Sequence, residues 1–194
     1  MFKDGDNWLD RWFATIRSAS NGQEILELGC GEGRDTRQLW EAGLQVIGVD
    51  KSKDAIDIAA PRNPGCSFHI GDIRSYLANG NAYYPAVIAS LCLHYFTWEE
   101  TLEIVGKIHS SLIDGGLLLV RVNSTDDVNY GSVGNKEIET NFYQVGDREK
   151  RFFDENALES IFFTEDWDLL LREKNTIYRY EKPKSVWELV LSKQ

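Results

Sequence analysis

The chain has 194 residues, of which 42% are apolar, 27% charged and 12% aromatic, which suits one domain with a sizeable core and excludes wholesale disorder or two full enzyme domains. Its 31 Asp and Glu outnumber 21 Lys and Arg for a net charge of −10, and the densest basic stretch, Arg148 to Arg151, is broken by Glu149, so nucleic acid is not expected as a partner. No apolar run approaches bilayer length, the acidic start Met1 to Asp6 is unlike a signal peptide, and three Cys and three His lack metal spacing; the expectation is a cytoplasmic protein with no membrane partner and no metal.

Trp8, Leu9, Trp12, Phe13 and Ile16 recur at helical spacing behind the capping candidates Asp6 and Asn7, and Asn21-Gly22 ends that helix. Glu24 to Leu28 reads as a first strand, Gly29-Cys30-Gly31-Glu32-Gly33 as a tight loop, and Asp35 to Glu41 as a helix closed by Gly43. Gln45 to Val49 is the second strand, Ser52 caps the next helix, and Pro61 is expected to stop it. Cys66 to Ile70 is a short third strand. Pro85 to Leu91, apolar almost throughout, has the composition of a strand buried on both faces. Thr97-Trp98-Glu99-Glu100 is a capping box that opens a helix through Leu112, and Asp114-Gly115-Gly116 turns it into a fifth strand, Leu117 to Val122. Strands alternating with helical segments argue for a Rossmann-like α/β fold: a doubly wound, mostly parallel sheet with helices on both faces. From Asn123 to Lys150 the pattern dissolves into polar, Gly-containing sequence. A capped helix starts at Asp154, and two β-rich stretches follow, Trp167 to Leu171 and Val186 to Leu191, the C-terminal strand being antiparallel.

Three places carry chemistry. A strand that runs into glycines and then a helix lets the backbone approach a ligand closely, with helix N–H groups aimed at it. A dinucleotide fingerprint requires a third glycine where Arg34 stands; G-x-G-x-G behind the acid Glu27 instead favours a ligand with a positively charged amino or sulfonium end over a pyrophosphate. Asp50 ends the second strand, where an acid can accept both hydrogens of a ribose diol. Gly71-Asp72-Ile73 closes the third, where a carboxylate can accept from an adenine amine while the next N–H donates to a ring nitrogen. Taken singly, the glycines are a sharp corner, Asp50 a capping acid and Asp72 a turn residue; their alignment on consecutive strand ends is what points to a site.

E-L-G-C-G-E-G, V-I-G-V-D and G-D-I, followed by Ala89 to Tyr95 and by Leu112 to Val122, resemble in order the motifs of the class I S-adenosylmethionine-dependent methyltransferases, over about Gln23 to Asn123. Gly33-Arg34-Asp35, Lys136 to Tyr143 and Arg151 to Asp154 resemble segments of the small tellurite-resistance-type members. The resemblance implies S-adenosyl-L-methionine as cofactor. It assigns the methionine end to Glu27, Gly29, Cys30 and Gly31 with Arg34 beside them, the ribose to Asp50 with Lys51, and the adenine to Asp72 and Ile73, Leu91 closing the site. It places His94 and Tyr95 around the transferred methyl, with proton acceptor, substrate contact and packing as open alternatives. It implies one domain over residues 1–194, with 1–20 as a capping helix and 124–152 as an inserted lid or substrate segment, to which Trp12 (or Trp8), Asn123 and Tyr130 contribute.

The expected activity is in-line transfer of the methyl group to a small-molecule acceptor by a monomer or homodimer. A non-catalytic cofactor-binding module and methylation of a protein remain alternatives. No Pro-Pro-Tyr or Pro-Pro-Phe signature follows the fourth strand; Leu91-Cys92-Leu93-His94 stands there, which argues further against base methylation.

Overall fold

The structure, a computed structural model, describes residues 6–79 and 83–194, so Met1 to Gly5 of the N-terminal segment read above lie outside it. A single turn of 3-10 helix at Asp10–Trp12 leads into α1 (Phe13–Ser20), which ends with Asn21 in the left-handed conformation at φ 45°. The chain then alternates: β1 (Ile25–Leu28), α2 (Arg34–Glu41), β2 (Val46–Asp50), α3 (Lys53–Arg62), β3 (Ser67–Ile70), α4 (Ile73–Asn79), β4 (Tyr84–Ser90), α5 (Trp98–Ser111) and β5 (Leu112–Asn123). A small meander follows, β6 (Lys136–Glu139), β7 (Phe142–Val145) and β8 (Arg148–Arg151), and then α6 (Glu155–Phe162), β9 (Trp167–Ile177) and β10 (Lys184–Lys193).

Seven strands form one sheet in the order β3-β2-β1-β4-β5-β10-β9. The first five pair in parallel, and β10 runs antiparallel to both β5 and β9. Strand order reverses between β1 and β4, the place where an open parallel sheet leaves a crevice at its carboxyl ends. Alternate residues of the central strands serve opposite cores. Val87 and Ala89 of β4 with Leu118 and Val120 of β5 pack against α4, α5 and α6. Ala86 and Ile88 with Leu117 and Leu119 pack against Ile16 of α1 and Leu39 of α2. Burial on both faces is why β4 reads as an unbroken apolar run.

The caps expected at Ser52, Thr97 and Asp154 are in place: Ala55 N–H donates to Ser52 Oγ at 3.2 Å, Ala157 N–H donates to Asp154 Oδ1 at 2.8 Å, and Thr97 with Glu100 forms a reciprocal box. Pro61 does not stop α3, which continues to Arg62. Proline here falls in the last turn, and Asn63 N–H closes onto Ala60 O at 3.2 Å, so the helix tightens rather than breaks. The stretch from Asn123 to Lys150, read as patternless, contains the three-stranded antiparallel sheet β6-β7-β8. Phe142 and Phe152 are buried beside it, and Arg151 anchors it by an ion pair to Glu139. In the final hairpin β9 starts at Trp167 as expected but runs on to Ile177, and β10 is longer at both of its ends. No helix among the described residues is long and apolar enough to cross a membrane.

Candidate functional site

The carboxyl ends of β1 to β4 open into one cavity of about 800 Å³. Backbone hydrogen bonds hold the tips together: Gly29 N–H and Cys30 N–H both donate to Val49 O (2.8 and 3.1 Å), Gly71 N–H to Asp50 O (2.9 Å) and Leu91 N–H to Arg121 O (2.8 Å). The glycine loop needs its glycines. Gly29 sits at φ +66°, and a Cβ there would collide with the Cys92 side chain at the tip of β4. Gly33 caps α2 at φ +76°, where a Cβ would come within 2.6 Å of Asn63 Nδ2 and 3.0 Å of Ala59, so the third glycine lets α2 pack against α3. Gly29→Ala combines a left-handed L residue with overpacking, together costing about 2–4 kcal/mol. The expected result is a melting temperature lower by several degrees, read by calorimetry.

Asp50 is the hinge of the site. Its Oδ2 accepts Gly31 N–H at 2.8 Å and its Oδ1 accepts Ser52 N–H at 2.9 Å, so one carboxylate ties the glycine loop to the start of α3 while facing the cavity. Asp72 also lines it, and is gripped by Arg74 through Nε to Oδ1 (2.9 Å) and Nη2 to Oδ2 (2.7 Å). That hydrogen-bonded guanidinium holds the Asp72 carboxyl below the usual carboxylate range. Leu91 takes φ +56°, a backbone conformation rare for a leucine, at the point where β4 enters the cavity wall.

Glu27 lies beneath the loop, buried, with Thr36 Oγ1 donating to its Oε2. Burial, reinforced by the charge of Asp35, raises its carboxyl well above the ordinary value. An acid raised this way destabilises the fold once it ionises: the native state holds the proton longer than the unfolded chain, so stability falls as pH rises through the window between the two values. Glu27→Gln removes that titration. It is expected to melt higher than the parent, by a margin that widens as pH rises above the ordinary carboxylate range, in scanning calorimetry. Cys30 and Cys92 are buried, and burial followed by the charges of Glu27 and Asp50 raises both thiols, so neither offers a thiolate.

The cavity brings together Gly29, Gly31, Asp50, Lys51, Asp72, Ile73, Leu91 and Tyr95 of the residues singled out from sequence. Glu27 and Cys30 lie behind its wall, and Arg34 starts α2 without lining it. His94 is 1% exposed and neither ring nitrogen has a hydrogen-bond partner; burial, followed by the charges of Lys184 and Lys150, lowers its proton affinity well below the ordinary value. Trp8 is buried with its Nε1 donating to Asp35 Oδ2 at 3.2 Å, and Trp12 packs on the sheet face shared with α1, so the described part of the N-terminal segment does not line the cavity. Asn123 is buried and donates to Arg151 O at 3.2 Å; Tyr130 donates to Lys182 O at 2.8 Å. From the inserted segment the cavity takes Gln144, Asp147, Arg148 and Glu149 at the β7-β8 turn, and Ser52, Gly71 and Phe96 from the sheet side. The signal for that turn was Val145-Gly146-Asp147, a glycine at φ +64° between the short strand Phe142–Val145 and a following strand too polar to announce itself.

The donor set suits a nucleoside bearing a cationic side arm: carboxylates for a diol and an exocyclic amine, a loop with no Cβ in the way, and an acidic floor. Residues 25–116 match the family model described as a methyltransferase domain. The chain is 34% identical over 100 residues to a magnesium-protoporphyrin O-methyltransferase from Rhodobacter capsulatus, covering 47% of this chain and 44% of that protein. The chain spans about half the length of the curated relatives it matches. Among solved structures, an S-adenosylmethionine-dependent methyltransferase from Methanosarcina mazei superposes with a TM-score of 0.74 at 18% identity, covering 88% of this chain and 92% of that one. TehB from Haemophilus influenzae superposes with a TM-score of 0.67 at 17% identity, covering 93% of this chain and 62% of that one.

Proposed function

We propose that this chain, whose fold and motifs are those of the class I S-adenosylmethionine-dependent methyltransferases, binds S-adenosylmethionine across the tips of β1 to β4 and transfers its methyl group to a small-molecule acceptor. One observation carries the reading: Asp50 and Asp72, at the ends of adjacent strands, face the same cavity as the glycine loop. When bound, the cofactor supplies an electrophilic methyl on sulfonium, and the carbon–sulfur bond breaks as the acceptor's lone pair bonds to carbon.

The protein's part is alignment and exclusion of water. Asp50 accepts the ribose hydroxyls while pinning Gly31; Asp72 and the backbone at Ile73 address the base; Glu27, holding its proton beneath the loop, ionises as the cationic amino-acid end arrives and offsets the cost of its burial. Leu91 and Tyr95 form the wall nearest β4, where the acceptor approaches, and the β7-β8 turn covers the mouth. The magnesium-protoporphyrin in one relative's name supports a small-molecule acceptor here, as does the absence of a basic stripe in the sequence.

Two measurements test this. Mass spectrometry of ligand co-purified with the protein is expected to find S-adenosylmethionine or S-adenosylhomocysteine, and calorimetry is expected to show S-adenosylhomocysteine binding. Failure of S-adenosylhomocysteine to bind overturns the assignment, whereas binding with no turnover across thiol, metalloid, amine and hydroxyl acceptors favours a sensing module.

A further inference from the structure

Beyond the wall at Leu91 and Tyr95 the fold buries polar groups for which cofactor binding has no use. Lys184, the first residue of β10, is 5% exposed, yet its ammonium has no hydrogen-bond acceptor and no ion pair within reach among the described residues. It rests between two rings instead, 5.5 Å from the centroid of Tyr130 and 5.2 Å from that of Tyr180, which are 5.5 Å from each other. The nearby carboxylate is already committed: Asp127 Oδ1 accepts the N–H groups of Asn129 and Tyr130, and Oδ2 that of Ser185. His94, with both nitrogens unpartnered, lies in the field of Lys184 and Lys150. Its ring lies 4.2 Å from that of Tyr95, tilted by 46°, and Tyr95 is itself cavity wall.

An ammonium on a nearly buried lysine, flanked by two tyrosine rings and a carboxylate whose oxygens already serve backbone N–H groups, next to a buried imidazole whose two nitrogens have no partner, is an incomplete site. In a protein of net charge −10, the cations Lys184, Lys150 and Arg179 gather here. What completes the group is an oxygen anion on a flat framework that the tyrosines can sandwich.

We propose that the methyl acceptor is a small planar acid whose anionic oxygen is held by the Lys184 ammonium and an N–H of His94, with its ring against Tyr95 and Tyr180. The anion is a binding handle and the methyl goes to another atom of the molecule. This rests on the methyl-transfer reading above and deepens it by naming the class of acceptor. Entry requires Tyr95, which is 37% exposed, to swing from its place on His94.

The site carries its own pH signature. Burial, partly offset by Asp127 and reinforced by the charges of Lys150, Arg179 and Arg121, brings the Lys184 amine down to about 8. Below that pH it is charged and holds an anion; above it the charge and the affinity are lost. His94 stays neutral through this range and contributes a hydrogen bond without titrating.

The experiment is calorimetric titration of the protein saturated with S-adenosylhomocysteine, using benzoate, salicylate and the neutral benzamide as probes, each acid remaining ionised throughout. The acids are expected to bind at least about tenfold more tightly than the amide, with affinity falling as pH passes about 8. Lys184→Met is expected to cost the acids roughly ten- to hundredfold and to abolish that pH dependence, with S-adenosylhomocysteine affinity unchanged. Lys184→Arg is expected to restore acid binding and keep it at higher pH. Equal binding of benzamide and benzoate, no binding of either acid at millimolar concentration, or full acid affinity in Lys184→Met overturns the proposal. Should Lys184→Met fail to fold, the parent's pH profile and the arginine variant decide it. Loss of S-adenosylhomocysteine binding in the parent is a separate result and strikes the cofactor reading itself.

Discussion

Replacing Asp50 with alanine is expected to weaken S-adenosylhomocysteine binding by a hundredfold or more. The carboxylate is placed to accept two ribose hydrogens, and each charge-assisted hydrogen bond contributes about 1.5–3 kcal/mol. Losing two costs roughly 3–6 kcal/mol, which is about two to four powers of ten in affinity. A second loss compounds the first, because the same side chain holds Gly31 N–H at 2.8 Å and Ser52 N–H at 2.9 Å, and without it the glycine loop is no longer tied to the start of α3. Asp50→Asn separates the two effects. Its amide oxygen keeps one acceptor for the backbone but brings no charge to the diol, so its affinity is expected to fall between parent and alanine variant. Isothermal calorimetry measures all three, and an alanine variant that binds with parental affinity removes Asp50 from the site. Thermal melting of the unliganded variants serves as the control that the loss is one of contact and not of fold.

The parts of this site that were legible in the sequence are those built from adjacent residues. Gly29, Gly31 and Gly33 follow a buried strand directly, Asp50 ends the apolar strand β2, and Asp72 follows the short β3 in a Gly-Asp turn, so local pattern and parallel-sheet geometry suffice to bring them together. What escaped is what chain pairing creates. Strands β6 and β8 read Lys-Glu-Ile-Glu and Arg-Glu-Lys-Arg; with so few apolar side chains they carry no period-2 signal, and their order comes from pairing with β7 and from Phe142 and Phe152 beneath them. The outer strand β9 runs on past Leu171 through Arg172, Glu173 and Lys174, charges that suit an edge open to water and disguise a strand as a loop. Lys184 was invisible for a different reason. Nothing near it in sequence predicts that Tyr130 and His94 arrive from 54 and 90 residues away. The same holds for the interior of β5, where a run of apolar residues contains one arginine whose partner is 115 residues distant.

That arginine sets the largest expected effect on stability. Arg121 is fully buried, donates Nη1 to Asp6 Oδ1 at 2.6 Å and Nε to Ser90 Oγ at 3.1 Å, lies 3.6 Å from Asp35 and 3.9 Å from Glu188, and stacks 4.5 Å from the Trp8 ring. It is the central cation of a buried cluster that ties the N-terminal segment, the start of α2 and the final strand to the middle of the sheet. Arg179 assists from the edge at 3.4 Å from Asp6. Arg121→Met keeps most of the volume and leaves Asp6 and Asp35 to Arg179 alone and Glu188 to Arg11. Removing one partner from a buried ionic group costs about 3–5 kcal/mol, which for a chain of this length lowers the melting temperature by roughly 10 °C. The dependence on pH fixes the cause. Burial alone would raise the Asp6 carboxyl, but the hydrogen bond and charge of Arg121, followed by Arg179 and Arg34, hold it below the ordinary carboxylate value. In the parent, Asp6 therefore contributes stability above its unfolded value that is lost as pH falls through the folded one. In the variant, Asp6 loses the hydrogen bond and charge of Arg121, burial raises its carboxyl instead, and protonating it relieves the buried charge. The gap between parent and variant is thus expected to narrow on acidification from about pH 8 to pH 4, in differential scanning calorimetry. A gap of constant size across that range would mean that the loss is packing around Trp8 and not charge, and would remove the cluster as the element that holds the N-terminal segment to the sheet.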